Sequence, residues 1–193
     1  MTDQDVVNLI EEFHMPLHVR RHCVTVANFA MELAQKISRN GIKIDMDLLR
    51  HSALLHDLVR VVDFRELKPE TWKDPSTEED KKIWLELRKK YAGLHHAEAG
   101  ARILEERGFA KEAQLVRSHR FLQIEKGLTT WEEKLLYYAD KRTKHDAVVS
   151  LKERLLDGRK RNEPETLESE HAKKLDEKVF ALEREILLAA CSV

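Results

Sequence analysis

An all-α fold is predicted by three features of this chain. Chain breakers are scarce, with only 6 Gly and 4 Pro in 193 residues. Charged residues reach 36%, and together with abundant Leu and Ala they make a composition of strong helix formers. Apolar residues recur at three- and four-residue spacing along most of the chain, and no alternating strand pattern interrupts them. The length suits one domain that buries a real core and carries an appended helix.

The elements follow in order. A first helix is predicted over Asp3–Phe13, stopping before Pro16. A second runs from Pro16 to Arg39, with Val19, Cys23, Val26, Ala30, Leu33 and Ile37 on one stripe, and ends at Asn40-Gly41. Pro16 suits its first turn, where a missing N–H costs nothing. A third begins near Asp45, an N-cap, and carries LLRHSALLHDLV. The stretch Asp63–Thr77 lacks a clean period and reads as a loop, followed by a charged helix from Glu78 to about Tyr91. Further helices are predicted at His96–Arg107, Lys111–Phe121 and Trp131–Leu156, the last with a break near Ser150. Asp157–Glu165 reads as a solvated connector and Leu167–Ala190 as a final amphipathic helix. The expected organisation is a helical-bundle domain over residues 1–156, with the connector and C-terminal helix of 157–193 packed on the same domain.

Composition narrows the function classes. A net charge of -1 gives no general attraction to nucleic acid or to an anionic membrane. Two distant cysteines, Cys23 and Cys191, make no disulfide framework. The acidic start MTDQDVV leads into no apolar signal core, and no stretch approaches a membrane span. A cytoplasmic protein is expected.

Six potential metal ligands occur in the order His22, His56-Asp57, His96, His119, Asp140. A carboxylate beside an imidazole, joined by further imidazoles and a distant Asp, is a set able to hold two ions around a shared oxygen ligand. A buried charge is costly unless paired or coordinated, so such groups rarely collect in a core without purpose. His56 and Asp57 are expected in the middle of an apolar helix, over the small Ser52 and Ala53 of the preceding turn. Each residue taken singly has a bland reading as a core histidine or a boundary carboxylate. His22 lies on the apolar stripe of its helix, whereas His18 sits near the helix start and is the alternative. His96 is favoured over His95 by the stripe of Ala97, Gly100 and Leu104. His14, His51, His145 and His171 read as surface or packing residues.

A His on one helix, an adjacent His-Asp about 34 positions on and a late Asp resemble the HD superfamily of metal-dependent phosphohydrolases, an all-helical fold. The resemblance covers about His18 to Arg154, and Ala-Leu-Leu-His-Asp-Leu is its most specific piece. It implies that His22, His56, Asp57 and Asp140 form the basic metal site. It further implies that His96 and His119 are the extra ligands of binuclear members, among them enzymes that split diadenosine tetraphosphate symmetrically. Those enzymes share the pattern His96-Ala97-Glu98-Ala99-Gly100-Ala101. Two departures stand out. Arg60 replaces the Lys that many members carry three residues after the Asp, and KRTKHDAVVSLKERL after Asp140 lacks the acidic, proline-containing continuation of the diadenosine tetraphosphate enzymes.

The resemblance implies one or two divalent transition-metal ions, and a nitrogen-rich set suits Fe, Mn, Co, Ni or Zn better than Mg or Ca. Asp57 would bridge ions roughly 3.5–4 Å apart, with a water between them acting as nucleophile on phosphorus. Arg60, one turn beyond His56, is the best phosphate ligand, its planar fork matching two oxygens. Arg117, Arg120, Lys141, Arg142 and Lys144 are further rim cations, each set against the bland reading of a solvated charge. The segment Asp63–Thr77, with Arg65, Lys68 and Trp72, reads equally as a cover for substrate or as a connector. The expected function is hydrolysis of a phosphate ester or anhydride of a nucleotide or dinucleoside polyphosphate. The alternative is a non-catalytic metal-binding sensor or interaction module. Nucleic-acid binding through Arg88-Lys89-Lys90 and Arg159-Lys160-Arg161 is disfavoured by near-neutral charge and 6% aromatics. The C-terminal helix offers a homodimer surface.

Overall fold

Capping and apolar periodicity place the helices in the computed structural model, which describes residues 1–162 and 169–191, without the side chains of Arg161 and Asn162. The first half holds α1 (Asp3–Glu12), α2 (Leu17–Arg39), α3 (Met46–Leu55), α4 (Glu78–Lys90) and α5 (His96–Glu106). The second half holds α6 (Ala110–Ser118), a one-turn α7 (Gln123–Lys126), α8 (Trp131–Arg142), α9 (Leu151–Asn162) and α10 (Glu170–Ala190). Thr2, Thr77 and Thr130 open α1, α4 and α8 with reciprocal capping boxes to Asp5, Asp80 and Glu133. Asp45 caps α3 by accepting from Leu48 N, and Pro16 is the N-cap of α2 rather than its first residue.

Three expectations are corrected. The third helix does not continue through His56 and Asp57: α3 stops at Leu55, and His56 is its C-cap. Beyond it the bonds tighten to three-residue spacing, from Leu58 N to Leu55 O, Arg60 N to Asp57 O and Val62 N to Val59 O, leading into a 3-10 turn at Arg60–Asp63. Buried, β-branched Val59, Val61 and Val62 favour leaving the α-helix there. Second, the helix expected over Trp131–Leu156 is two helices separated by an antiparallel pair, β1 (Thr143–Lys144) and β2 (Ala147–Val148), with Thr143 opposite Val148. A strand this short leaves no alternation to read. Third, Asp157–Asn162 of the expected connector belongs to α9, while residues 163–165 lie outside the described residues.

The core has two adjoining parts. One gathers α1, the start of α2, the end of α3, α4, α5 and α6 around Val19, Leu55, Leu58, Trp84 and Leu104. The other gathers the rest of α2 with α3, α8, α9 and α10 around Val26, Leu49, Leu136, Leu151 and Val179. The seam between them crosses three helices: Cys23 and Val26 flank it on α2, Leu55 and Ala53 on α3, Val116 and Leu115 on α6. α10 lays its stripe of Ala172, Leu175, Val179, Leu182 and Ile186 against α2, α7 and α8. No helix among the described residues is long and apolar enough to cross a membrane.

Candidate metal centre

The six expected ligands meet at that seam. His22 comes from α2, His56 from the C-cap of α3 and Asp57 from the tight turn after it, His96 from the first turn of α5, His119 from the C-cap of α6 and Asp140 from α8. They form two triads, His22–His56–Asp140 and Asp57–His96–His119, each with its ligand atoms within 4.8 Å of one another. In the first, Asp140 Oδ1 lies 3.2 Å from His22 Nε2 and 3.8 Å from His56 Nε2. In the second, Asp57 Oδ1 lies 2.9 Å from His96 Nε2 and 3.6 Å from His119 Nε2. Asp57 Oδ2 is 3.9 Å from His56 Nε2, so this carboxylate joins the two groups.

The outer face of each imidazole is held. Nδ1 bonds a backbone carbonyl in three of them: His22 to His145 O at 2.8 Å, His56 to Ala53 O at 2.8 Å and His119 to Val116 O at 2.6 Å. His96 Nδ1 bonds Asp63 Oδ2 at 2.7 Å. A carbonyl only accepts, so the proton is assigned to Nδ1 and the neutral ring turns its Nε2 lone pair inward. This is the arrangement that orients histidine toward a metal. His56 Nε2 is buried with no hydrogen-bond partner, and the Nε2 atoms of His96 and His119 stand 3.1 Å apart. Facing lone pairs and an orphaned buried nitrogen are costly as they stand. A cation among them satisfies all four rings, so the donor set fits divalent transition metals.

The charge of His119 agrees with this, whereas burial at His56 is outweighed by Cys23, Asp57 and Asp140, which push its imidazole well above the usual histidine range. Burial pushes the His119 imidazole down to about 4, keeping it neutral near pH 7. Burial pushes the Asp57 carboxyl up, but His56 and His96 more than offset that and hold it well below the usual carboxylate range. Asp140 behaves alike, its burial outweighed by the Lys141 ammonium, His22 and His56.

The two alternative histidines have other partners. His95 Nδ1 caps α5 by accepting from Ala97 N at 3.1 Å. His18 stacks among aromatic rings with its Nδ1 3.9 Å from Asp74. Of the histidines read as surface or packing, His51 meets Asp3 at 2.7 Å and His14 meets Asp80 at 2.6 Å. His145 differs: at φ 55° in the turn between β1 and β2, it aims its carbonyl at His22 and lines the cleft, as does His171.

The centre opens into a cleft of about 1200 Å³, with His56 on its floor beneath the lining. Arg60 lines it, with Nε 3.8 Å from Asp57 Oδ2 and a bond to Asp63. Arg120 lines it as well. Lys141 lines it too, but its ammonium is largely buried, paired to Asp140 and 3.3 Å from His119 O. Arg117, Arg142 and Lys144 lie outside the lining. Arg117 is tied to Glu98 and Glu105 at 2.8 and 3.0 Å, Arg142 to Val149 O and Glu183, and Lys144 to Glu153 and Asp157. Arg117 and Arg142 each sit two residues from a ligand, about 200° around the helix and so on the opposite face. Arg88, from one of the basic runs, donates to Val61 O and Phe64 O and fastens the segment after α3 to α4.

Sequence reading missed Asp63, whose carboxylate accepts from both His96 N at 3.0 Å and His96 Nδ1. Burial pushes its carboxyl up, but His96 and Arg60 bring it down to about 2. Its only signal was an acid closing the apolar run Leu58–Val62. Asp63→Ala is expected to weaken Mn(II) binding at the Asp57–His96–His119 triad about ten- to a hundredfold and spare the other. A Mn(II) titration reads both sites.

A family model described as HD domain matches residues 19–178. An uncharacterized protein of Methanocaldococcus jannaschii is 27% identical over 175 residues, 89% of this chain and 85% of that protein. No solved structure gives a significant match.

Proposed function

This chain belongs to the HD domain family of the metal-dependent phosphohydrolase superfamily, and from that membership we propose that it hydrolyses a phosphate ester or anhydride. The substrate in this reading is a nucleotide or dinucleoside polyphosphate. The observation that carries it is the convergence of four back-bonded imidazoles and two carboxylates at the floor of an open cleft. His22, His56 and Asp140 would hold one divalent ion, and Asp57, His96 and His119 a second. Such ions supply Lewis acidity and a water of lowered pKa.

The chain's own residues do the rest. Asp57 ties the two triads so that both act on one phosphoryl group. Arg60 presents its guanidinium beside Asp57, where it can bind two phosphate oxygens and offset charge as the leaving oxygen departs. Asp63 holds both Arg60 and His96, setting the cation and the ligand in register. Lys141 keeps Asp140 ionised from behind.

Release of nucleotide, pyrophosphate or phosphate products from a panel of nucleotides and dinucleoside polyphosphates, separated by ion-exchange chromatography with Mn, Fe or Co supplied, tests the reading. Metal-dependent release from at least one compound is expected. Tight metal binding with no release from any of them would instead favour a non-catalytic metal-binding module. Arg60→Ala is expected to lower kcat/KM about ten- to a hundredfold, the worth of a bond to a charged group, with metal content unchanged.

A further inference from the structure

Beyond the triads the cleft continues along an aromatic wall that hydrolysis does not use. His18, one turn before His22 on α2, lines it together with Phe64 and Trp72 from the segment after Asp63. Trp72 meets His18 edge-on, with centroids 4.6 Å apart, and Phe64 at 5.8 Å. Trp84 backs it at 5.1 Å. The Arg60 guanidinium lies 5.5 Å from the Phe64 centroid, so this wall begins beside the proposed phosphate cation. All three rings are half-buried and line the cleft, leaving ring surface toward it. His18 turns its buried Nδ1 toward Asp74 Oδ2 at 3.9 Å, and its ring stacks on Phe64 with centroids 6.1 Å apart.

We propose that His18, Phe64 and Trp72 form a subsite for a flat, nitrogen-bearing heteroaromatic ring, the base of a nucleotide whose phosphate lies at Asp57 and Arg60. Stacking on Trp72 and Phe64 tolerates any base, because every base offers a π-face. The His18 ring adds a third aromatic face to the wall. The placement of the phosphate rests on the hydrolase reading; recognition of the ring does not. A purely structural cluster would only fasten this segment to α2 and α4.

Nucleosides separate the two, since they carry a base and no phosphate. Binding of adenosine, guanosine, cytidine and uridine to the full Mn-loaded chain is measured by calorimetry. At least one is expected to bind, and Trp72→Ala to weaken it about five- to a hundredfold, with metal content unchanged and Trp72→Phe largely retaining it. If Trp72→Ala fails to fold, His18→Ala carries the test, with a loss of about twofold or more expected from the missing ring contact. No nucleoside binding by the parent chain overturns the subsite, as does unchanged binding in the folded variants. Nucleotides cleaved with the same KM as ribose 5-phosphate would also overturn it while leaving the hydrolase reading intact. Nucleoside binding without cleavage of any nucleotide would reject the hydrolase reading and support the subsite.

Discussion

Asp57→Ala is expected to abolish both hydrolysis and metal retention. This carboxylate meets His96 Nε2 at 2.9 Å, His119 Nε2 at 3.6 Å and His56 Nε2 at 3.9 Å, so it joins one triad to the other. Its removal leaves the Nε2 atoms of His96 and His119 facing each other at 3.1 Å with no anion between them. Losing even an outer partner of a ligand costs about ten- to a hundredfold in affinity or activity, and a bridging ligand costs more. Metal content of protein purified without chelator, measured beside the release of cleavage products, checks both losses. Unchanged activity in the variant would contradict the role.

The second large effect concerns stability. Asp140→Ala leaves the buried Lys141 ammonium with only His119 O at 3.3 Å and the Tyr137 ring at 4.9 Å. Breaking a buried ion pair from one side costs about 3–5 kcal/mol. In a chain of 193 residues that lowers Tm by roughly 6–20 °C. Adding Lys141→Met removes the stranded charge and is expected to restore much of the stability, whereas metal at the His22–His56 triad stays lost. Thermal melts of chelated protein read the first effect apart from the second. A single variant melting with the parent would show that Asp140 does not hold Lys141 in place.

The helical fold was legible because apolar spacing and breakers carry it, as in the stripe from Val19 to Ile37 and the stop at Asn40-Gly41. The meeting of the six residues was legible from their order and from the His-Asp doublet. The end of α3 was not, since Leu58–Val62 continues the apolar run and only β-branching hints at the turn. Arg60, Arg120 and Lys141 line the cleft, and the other three cations were misplaced for a geometric reason. Nearness in sequence to Asp140 or His119 does not place a side chain on the same helix face, and Arg117 and Arg142 point away to Glu98 and Glu183. Lys144 would have followed Asp140 by one turn, but α8 ends at Arg142 and the chain turns into β1. Asp63, Lys141 and the His145 carbonyl act through tertiary contacts that no spacing encodes.

We propose that these triads are two cation sites built from distant parts of the chain. Titrating the chelator-stripped full chain with Mn(II), and counting bound ions by electron paramagnetic resonance, tests it most directly. Saturation at two ions per chain is expected, with His22→Ala losing one and His119→Ala the other. No tight binding, or binding that both variants leave unchanged, would contradict it.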